Sequence, residues 1–211
     1  MYKRQGTITS YYIDNRILRL FPVDTLSARG TAPCFIESSP NGKTVVVANY
    51  STGNVVQVDI ENDGTFSENV REKQHSGDGP NSARQEGPHA HSIRYHPTKP
   101  LIFAADLGID EVKVYDLQLN EIAAIPMAPG AGPRHIEFNE AGDRLYVINE
   151  LNSTITVVNI LSGTEFEELQ TISTLPEGFE GESYCADIHF DVSGEYLLGP
   201  NRGHDLSLIH I

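Results

Sequence analysis

Residues 34–58 decide the fold: Cys34-Phe35-Ile36-Glu37, the turn Pro40-Asn41-Gly42-Lys43, Val45-Val46-Val47-Ala48-Asn49 and, after a second turn, Val55-Val56-Gln57-Val58. Short apolar runs separated by Gly, Pro and Asn read as strands and tight turns. The same grammar returns with Ser92-Ile93-Arg94-Tyr95, the turn at 96–100, the strand 101–106 and the strand 112–115. It returns again with Ile136-Glu137-Phe138, the turn Glu140-Ala141-Gly142-Asp143, 145–149 and 155–158. A fourth copy holds Ile188-His189-Phe190, Val192-Ser193-Gly194-Glu195 and a strand over 196–201. The second strand of each copy ends on Asn49, Asp106, Asn149 or Asn201, at spacings of 57, 43 and 52 residues. A period of this size built of strand and turn predicts the blades of a β-propeller, all-β and partial: four hairpins near 34–58, 92–115, 134–158 and 186–201, and a leading partial blade at 8–20. Outer strands carry the weakest signal, with Ala123-Ala124-Ile125 and 169–172 as candidates. Amphipathic runs at helical spacing are missing between the many Gly and Pro residues, which excludes helical solenoids.

With 29 Asp and Glu against 15 Lys and Arg, the formal charge of −14 repels phosphate backbones, so no nucleic acid is expected as a partner. That excess of negative charge makes any cluster of arginines informative, because an anionic ligand needs a locally positive pocket. Cys34 and Cys185 are far apart and lack ligand spacing, so neither a disulfide framework nor a zinc site is expected. The longest apolar runs are too short to span a bilayer and no charged-then-apolar leader opens the chain, which reads as a cytoplasmic protein with no membrane partner. Residues 1–5 and 206–211 resemble translated sequencing-adapter ends, which leaves 6–205 as the propeller portion. Oligomeric state is not legible.

Antiparallel pairing places the start of each first strand and the end of each second strand at the same rim. Fifteen residues before each marker stand Cys34, His91, Arg134 and Ala186; just after each marker stand Tyr50, Leu107, Glu150 and Arg202. Neighbouring blades would therefore gather His91, Arg134, Glu150 and Arg202 at the central mouth, flanked by His89, His135, Asp187 and His189. Two guanidinium groups, a carboxylate and several imidazoles suit an anionic lactone: arginines bind its anionic group and polarise the ester carbonyl, while Glu150 or His91 takes the proton of an attacking water. His89-Ala90-His91 could present two metal ligands, but no third ligand at matching spacing completes a site, so no metal and no cofactor are assigned. Residues 77–87 read either as a binding loop that enters the mouth or as an ordinary blade connection. No Gly-x-Ser-x-Gly elbow and no Walker loop occur.

Four ordered motifs, residues 84–92 (Arg-Gln-Glu-Gly-Pro-His-Ala-His-Ser), 104–108 (Ala-Ala-Asp-Leu-Gly), 129–135 (Pro-Gly-Ala-Gly-Pro-Arg-His) and 201–205 (Asn-Arg-Gly-His-Asp), closely resemble the seven-bladed β-propeller lactonase family. That family includes bacterial 6-phosphogluconolactonases of the propeller type and a fungal 3-carboxymuconate-cyclising enzyme. The resemblance implies a catalytic set of His91 (or His89), Arg134, Glu150 and Arg202; Arg84, His89, His135, Asp187 and His189 are expected to bind substrate around it. Both hydrolysis and cyclisation of anionic lactones occur on this scaffold, and the commoner bacterial assignment, hydrolysis of 6-phospho-D-glucono-1,5-lactone in the pentose phosphate pathway, is the reaction expected. The alternatives are carboxymuconate cyclisation and a non-catalytic propeller that binds proteins on its rim. The chain stops inside a blade, so the resemblance also implies that further blades complete the pocket.

Overall fold

In a computed structural model the described residues are 6–203 and the backbone of 208–210. The chain opens with a two-stranded hairpin, β1 (Thr7–Asp14) and β2 (Arg19–Ser27), longer than the 8–20 segment read from the sequence. Three four-stranded antiparallel blades follow. The first is β3 (Pro33–Ser38), β4 (Thr44–Asn49), β5 (Asn54–Ile60) and β6 (Phe66–Gln74). The second is β7 (Ala90–Tyr95), β8 (Leu101–Asp106), β9 (Glu111–Asp116) and β10 (Glu121–Pro126). The third is β11 (Pro133–Phe138), β12 (Arg144–Asn149), β13 (Thr154–Ile160) and β14 (Phe166–Ser173). The inner strands β3, β7 and β11 lie side by side, and the sheets do not close into a ring among the described residues.

Alternation explains why the second strands read as unbroken apolar runs. Successive side chains leave a strand on opposite faces, and here both faces are covered by neighbouring blades. In β8, Leu101, Phe103 and Ala105 pack toward the third blade, whereas Ile102 and Ala104 pack back against Val46, Ala48 and Val55 of the first. In β12, Leu145 and Val147 face the second blade, and Tyr146 and Ile148 face the last one. Each fully buried Val, Leu, Ile or Phe contributes roughly 1.5–3 kcal/mol. Three of the marker residues are buried ties to what precedes their blade: Asn49 Nδ2 donates to the Ala28 carbonyl and Asn201 Nδ2 to that of Thr174, whereas Asn149 Nδ2 donates to the Thr154 and Thr156 hydroxyls of its own blade. Asp106 Oδ2 holds His75 Nδ1 at 2.6 Å, and His75 Nε2 lies 2.7 Å from the Tyr115 hydroxyl.

The last blade departs from the sequence reading. Its first two strands are each split, into β15 (Tyr184–Cys185) and β16 (His189–Phe190), and into β17 (Tyr196–Leu198) and β18 (Asn201–Arg202). The continuous strand expected over 196–201 breaks at Gly199-Pro200, because proline has no N–H for the ladder. The backbone of β19 (Leu208–His210) pairs with β17. The other residues of the two end segments taken as adapter-derived lie outside the described residues. No described helix is long and apolar enough to cross a membrane.

Candidate active site

The first strand of every full blade carries a β-bulge at the same place. Pro33 pairs with Asn49 and Phe35 with Ala48, which leaves Cys34 as the extra residue. His91 is extra between Ala90 and Ser92, and Arg134 between Pro133 and His135. A bulge re-aims the side chain it carries, and two of these three reach the same column of the next blade. Cys34 Sγ lies 3.2 Å from the His91 carbonyl, and Arg134 Nη1 donates to the carbonyl of Ala186, the residue of the same column in the last blade. The second column is equally regular: the amides of Tyr50, Leu107 and Glu150 donate to the carbonyls of Ala32, His89 and Gly132.

Glu150 is the centre of the site. Its carboxylate is 4% exposed and holds three guanidinium groups: Arg84 Nη2 at 2.6 Å from Oε1, with Arg134 Nε and Arg202 Nη2 each at 2.8 Å from Oε2. Burial by itself would raise its pKa. The hydrogen bond from Arg84 and the charges of Arg202, Arg84 and Arg134 outweigh burial and hold the carboxyl below its usual range. A carboxylate with both oxygens engaged by cations is a poor proton acceptor, so the geometry suits an electrostatic anchor rather than the base the sequence reading offered. Arg134 is pulled below its ordinary value by burial and the nearby Arg202, against the opposing charge of Glu150.

Arg84 arrives on the 75–89 connection, which the structure shows to be an ordered loop reaching the mouth. Gln85, fully buried, donates to Asp110 Oδ1 at 2.7 Å and to the Leu107 carbonyl at 2.9 Å, and its Oε1 accepts from the Asn81 amide. Asp110 also accepts the amides of Gly130 and Gly132, so one buried carboxylate fastens this loop to the segment leading into β11. Gly108 permits the close approach, since a Cβ there would overlap the Gly87 carbonyl oxygen. Sequence reading missed Gln85 and Asp110, whose signal is two ordinary polar residues 25 apart. Tyr50 stood in the right column without being singled out; its ring stacks on His89 at 4.6 Å and meets His91 edge-on at 5.3 Å.

The imidazoles separate into distinct environments. His89 is fixed by the Tyr50 carbonyl on Nδ1 and faces Glu86 at 3.4 Å. Burial, then the charges of Arg134 and His135, push His91 down to about 3, and its buried Nδ1 has no hydrogen-bond partner. His135 lies edge-on to His91 at 5.2 Å, and its Nδ1 is 2.6 Å from Asp187 Oδ1. Asp187 is held at about 2: burial raises it, but the His135 hydrogen bond, the Ile188 amide and the neighbouring imidazoles prevail. His189 stands apart from the arginine cluster, 65% exposed, and reaches Asp187 at 3.0 Å and Glu137 at 3.6 Å. Among the described residues no group of three or more His, Cys, Asp or Glu is arranged to hold a metal ion. A cleft of about 800 Å³ runs between the 139–141 and 191–194 turns; His189 and Glu137 line it, and the three arginines and Glu150 do not.

Comparison with known proteins agrees with this architecture. The family described as lactonase, 7-bladed beta-propeller, matches residues 1–210. The chain is 35% identical over 206 residues to a 6-phosphogluconolactonase of Bacillus subtilis, covering 95% of this chain and 58% of that protein. Among solved structures, a periplasmic gluconolactonase of Pseudomonas aeruginosa superposes with a TM-score of 0.86 at 30% identity, over 97% of this chain and 59% of that one. A Lactobacillus plantarum protein superposes with a TM-score of 0.88 at 28% identity, over 100% of this chain and 65% of that one. The chain thus spans little more than half the length of the first two relatives. With the blade repeat, the bulge column and the arginine-ringed carboxylate on the same scaffold, the chain belongs to the seven-bladed β-propeller lactonase family.

Proposed function

We propose that the protein hydrolyses a phosphorylated sugar lactone, 6-phospho-D-glucono-1,5-lactone, to 6-phosphogluconate. One observation carries the reading: three guanidinium groups surround a single carboxylate, a local excess of positive charge on a chain whose net charge is −14. Arg84 and Arg202 are 35% and 53% exposed, so each can turn N–H donors to a ligand while Glu150 fixes the other side of the guanidinium. A planar fork of this kind suits phosphate and carboxylate oxygens. Placed against the lactone carbonyl, an arginine stabilises the oxyanion that develops as water attacks the carbonyl carbon and the ring C–O bond breaks. The substrate is therefore a small anionic lactone, and the pentose phosphate pathway places the enzyme in the cytoplasm, in contrast to the periplasmic Pseudomonas relative.

The test is hydrolysis of freshly generated 6-phosphogluconolactone by the complete protein, above the spontaneous rate, with unphosphorylated gluconolactone as comparator and with and without chelator. Preference for the phosphorylated lactone supports the reading. No turnover by folded protein refutes it, and turnover of carboxymuconate in its place would identify a cyclase.

A further inference from the structure

We propose that His135, oriented by Asp187, is the general base that takes the proton of the attacking water; this rests on the lactone-hydrolase reading above. Hydrogen-bond donors fix the tautomer. Asp187 Oδ1 lies 2.6 Å from His135 Nδ1, and Asp187 accepts the Ile188 amide at 2.9 Å, which marks the carboxylate as acceptor and Nδ1 as the protonated nitrogen. On the other side of the ring, Nε2 lies 3.4 Å from Arg134 Nη1. Arginine can only donate, so Nε2 carries its lone pair toward the arginine cluster. Carboxylate, imidazole and a lone pair met only by the long 3.4 Å contact from Arg134 form, in that order, the arrangement by which a carboxylate orients a base.

The other candidates lack one part of it. Glu150 has both oxygens on guanidinium groups, and His91 has no carboxylate partner and an unpartnered Nδ1. The charged and titratable groups around His135 are Arg134 on its own strand, His91 from β7, and Asp187 and His189 from the last blade. Burial, with the charges of Arg134 and His189, lowers the His135 pKa against the Asp187 hydrogen bond and charge, so the ring is neutral at neutral pH.

The step balances without a co-reactant. The water oxygen bonds to the carbonyl carbon as its proton passes to Nε2, the tetrahedral intermediate expels the ring oxygen, and Nε2 returns the proton to that oxygen. The product acid then ionises to solvent. Asp187 is a positioning residue, since it acts through the ring.

The test compares wild type with Asp187→Asn in the complete protein, by kcat/KM against pH and by nitrogen NMR of the imidazole. An Asn amide in place of the carboxylate can donate to Nδ1 and so favours the wrong tautomer. The expected outcome is a loss of about 100-fold in kcat, with the acid limb of the profile displaced to lower pH because the charge that raised the His135 pKa is gone. A variant with an unmoved limb and a wild-type plateau overturns the proposal. So does a wild-type His135 ring protonated on Nε2 and bare on Nδ1 at neutral pH, and this readout needs no substrate. If wild type fails to turn over any lactone, the functional reading fails instead, and the ring nitrogens still decide the tautomer.

Discussion

Replacing Glu150 by Gln removes one charge and almost no volume from the centre of three arginines, so its effect measures how much that carboxylate holds together. The pair with Arg134 dominates. Arg134 is 17% exposed and Glu150 4%, and Arg134 cannot swing away, because its Nη1 is bound to the Ala186 carbonyl. Breaking a buried pair from one side costs about 3–5 kcal/mol. Arg84 and Arg202, at 35% and 53% exposure, can rotate into water, and each pair contributes about 0–1 kcal/mol after solvent screening. The Gln carbonyl still accepts one hydrogen bond, so the expected total is about 3 kcal/mol. Against a typical stability of ~5–15 kcal/mol and a urea dependence of ~2 kcal/mol per molar, the midpoint should fall by about 1.5 M. Added phosphate should restore part of the loss in the variant, since an anion can replace the missing charge.

The pH dependence gives a second reading of the same pair. The folded pKa of Glu150 lies below the ordinary 4.5. Its contribution is therefore complete above 4.5 and disappears as pH falls through the folded value. The gap between wild type and Glu150→Gln should close over that acid range. A midpoint change below about 0.3 M in low salt at neutral pH would refute the view of Glu150 as the anchor of the cluster.

Three further outcomes are expected. His91, held at about 3 when folded against 6.5 unfolded, leaves the folded state one proton short between those values, so stability falls as pH drops from 6.5. Between pH 6 and 5 wild type should lose roughly 1 kcal/mol more than His91→Phe, as read from urea midpoints; parallel profiles would show that His91 is not buried neutral. Gln85→Ala leaves the buried Asp110 Oδ1 and Leu107 carbonyl short of a donor and loosens the loop that delivers Arg84. It should cost about 1–3 kcal/mol by thermal unfolding and raise KM more than it lowers kcat. Gly108→Ala places a methyl group on the Gly87 carbonyl, so a melting-temperature loss equivalent to about 1–3 kcal/mol is expected; an unchanged Tm would show that this contact yields easily.

Local order was written in the sequence because it depends on neighbours in the chain. Alternation, Gly-bearing turns and the recurring Asn or Asp at 49, 106, 149 and 201 mark the hairpins, and β10 and β14 fall on the stretches picked as outer strands. The strand β6 (Phe66–Gln74) escaped, because a polar, half-exposed outer strand has little apolar pattern to read. Counting fifteen residues back from each marker found Cys34, His91 and Arg134, since equal strand lengths repeat from blade to blade. It could not show that these residues sit on bulges, which exist only in the pairing of two strands. The column also put Glu150 and Arg202 at one rim, but Arg84 reaches Glu150 from 66 residues away on a connection with no period of its own. The contact between His135 and Asp187 likewise joins two blades 52 residues apart. Such distances are set by how adjacent sheets pack and by where a loop is fastened, so the residue types at the mouth were legible in the sequence, while their roles depend on the tertiary fold.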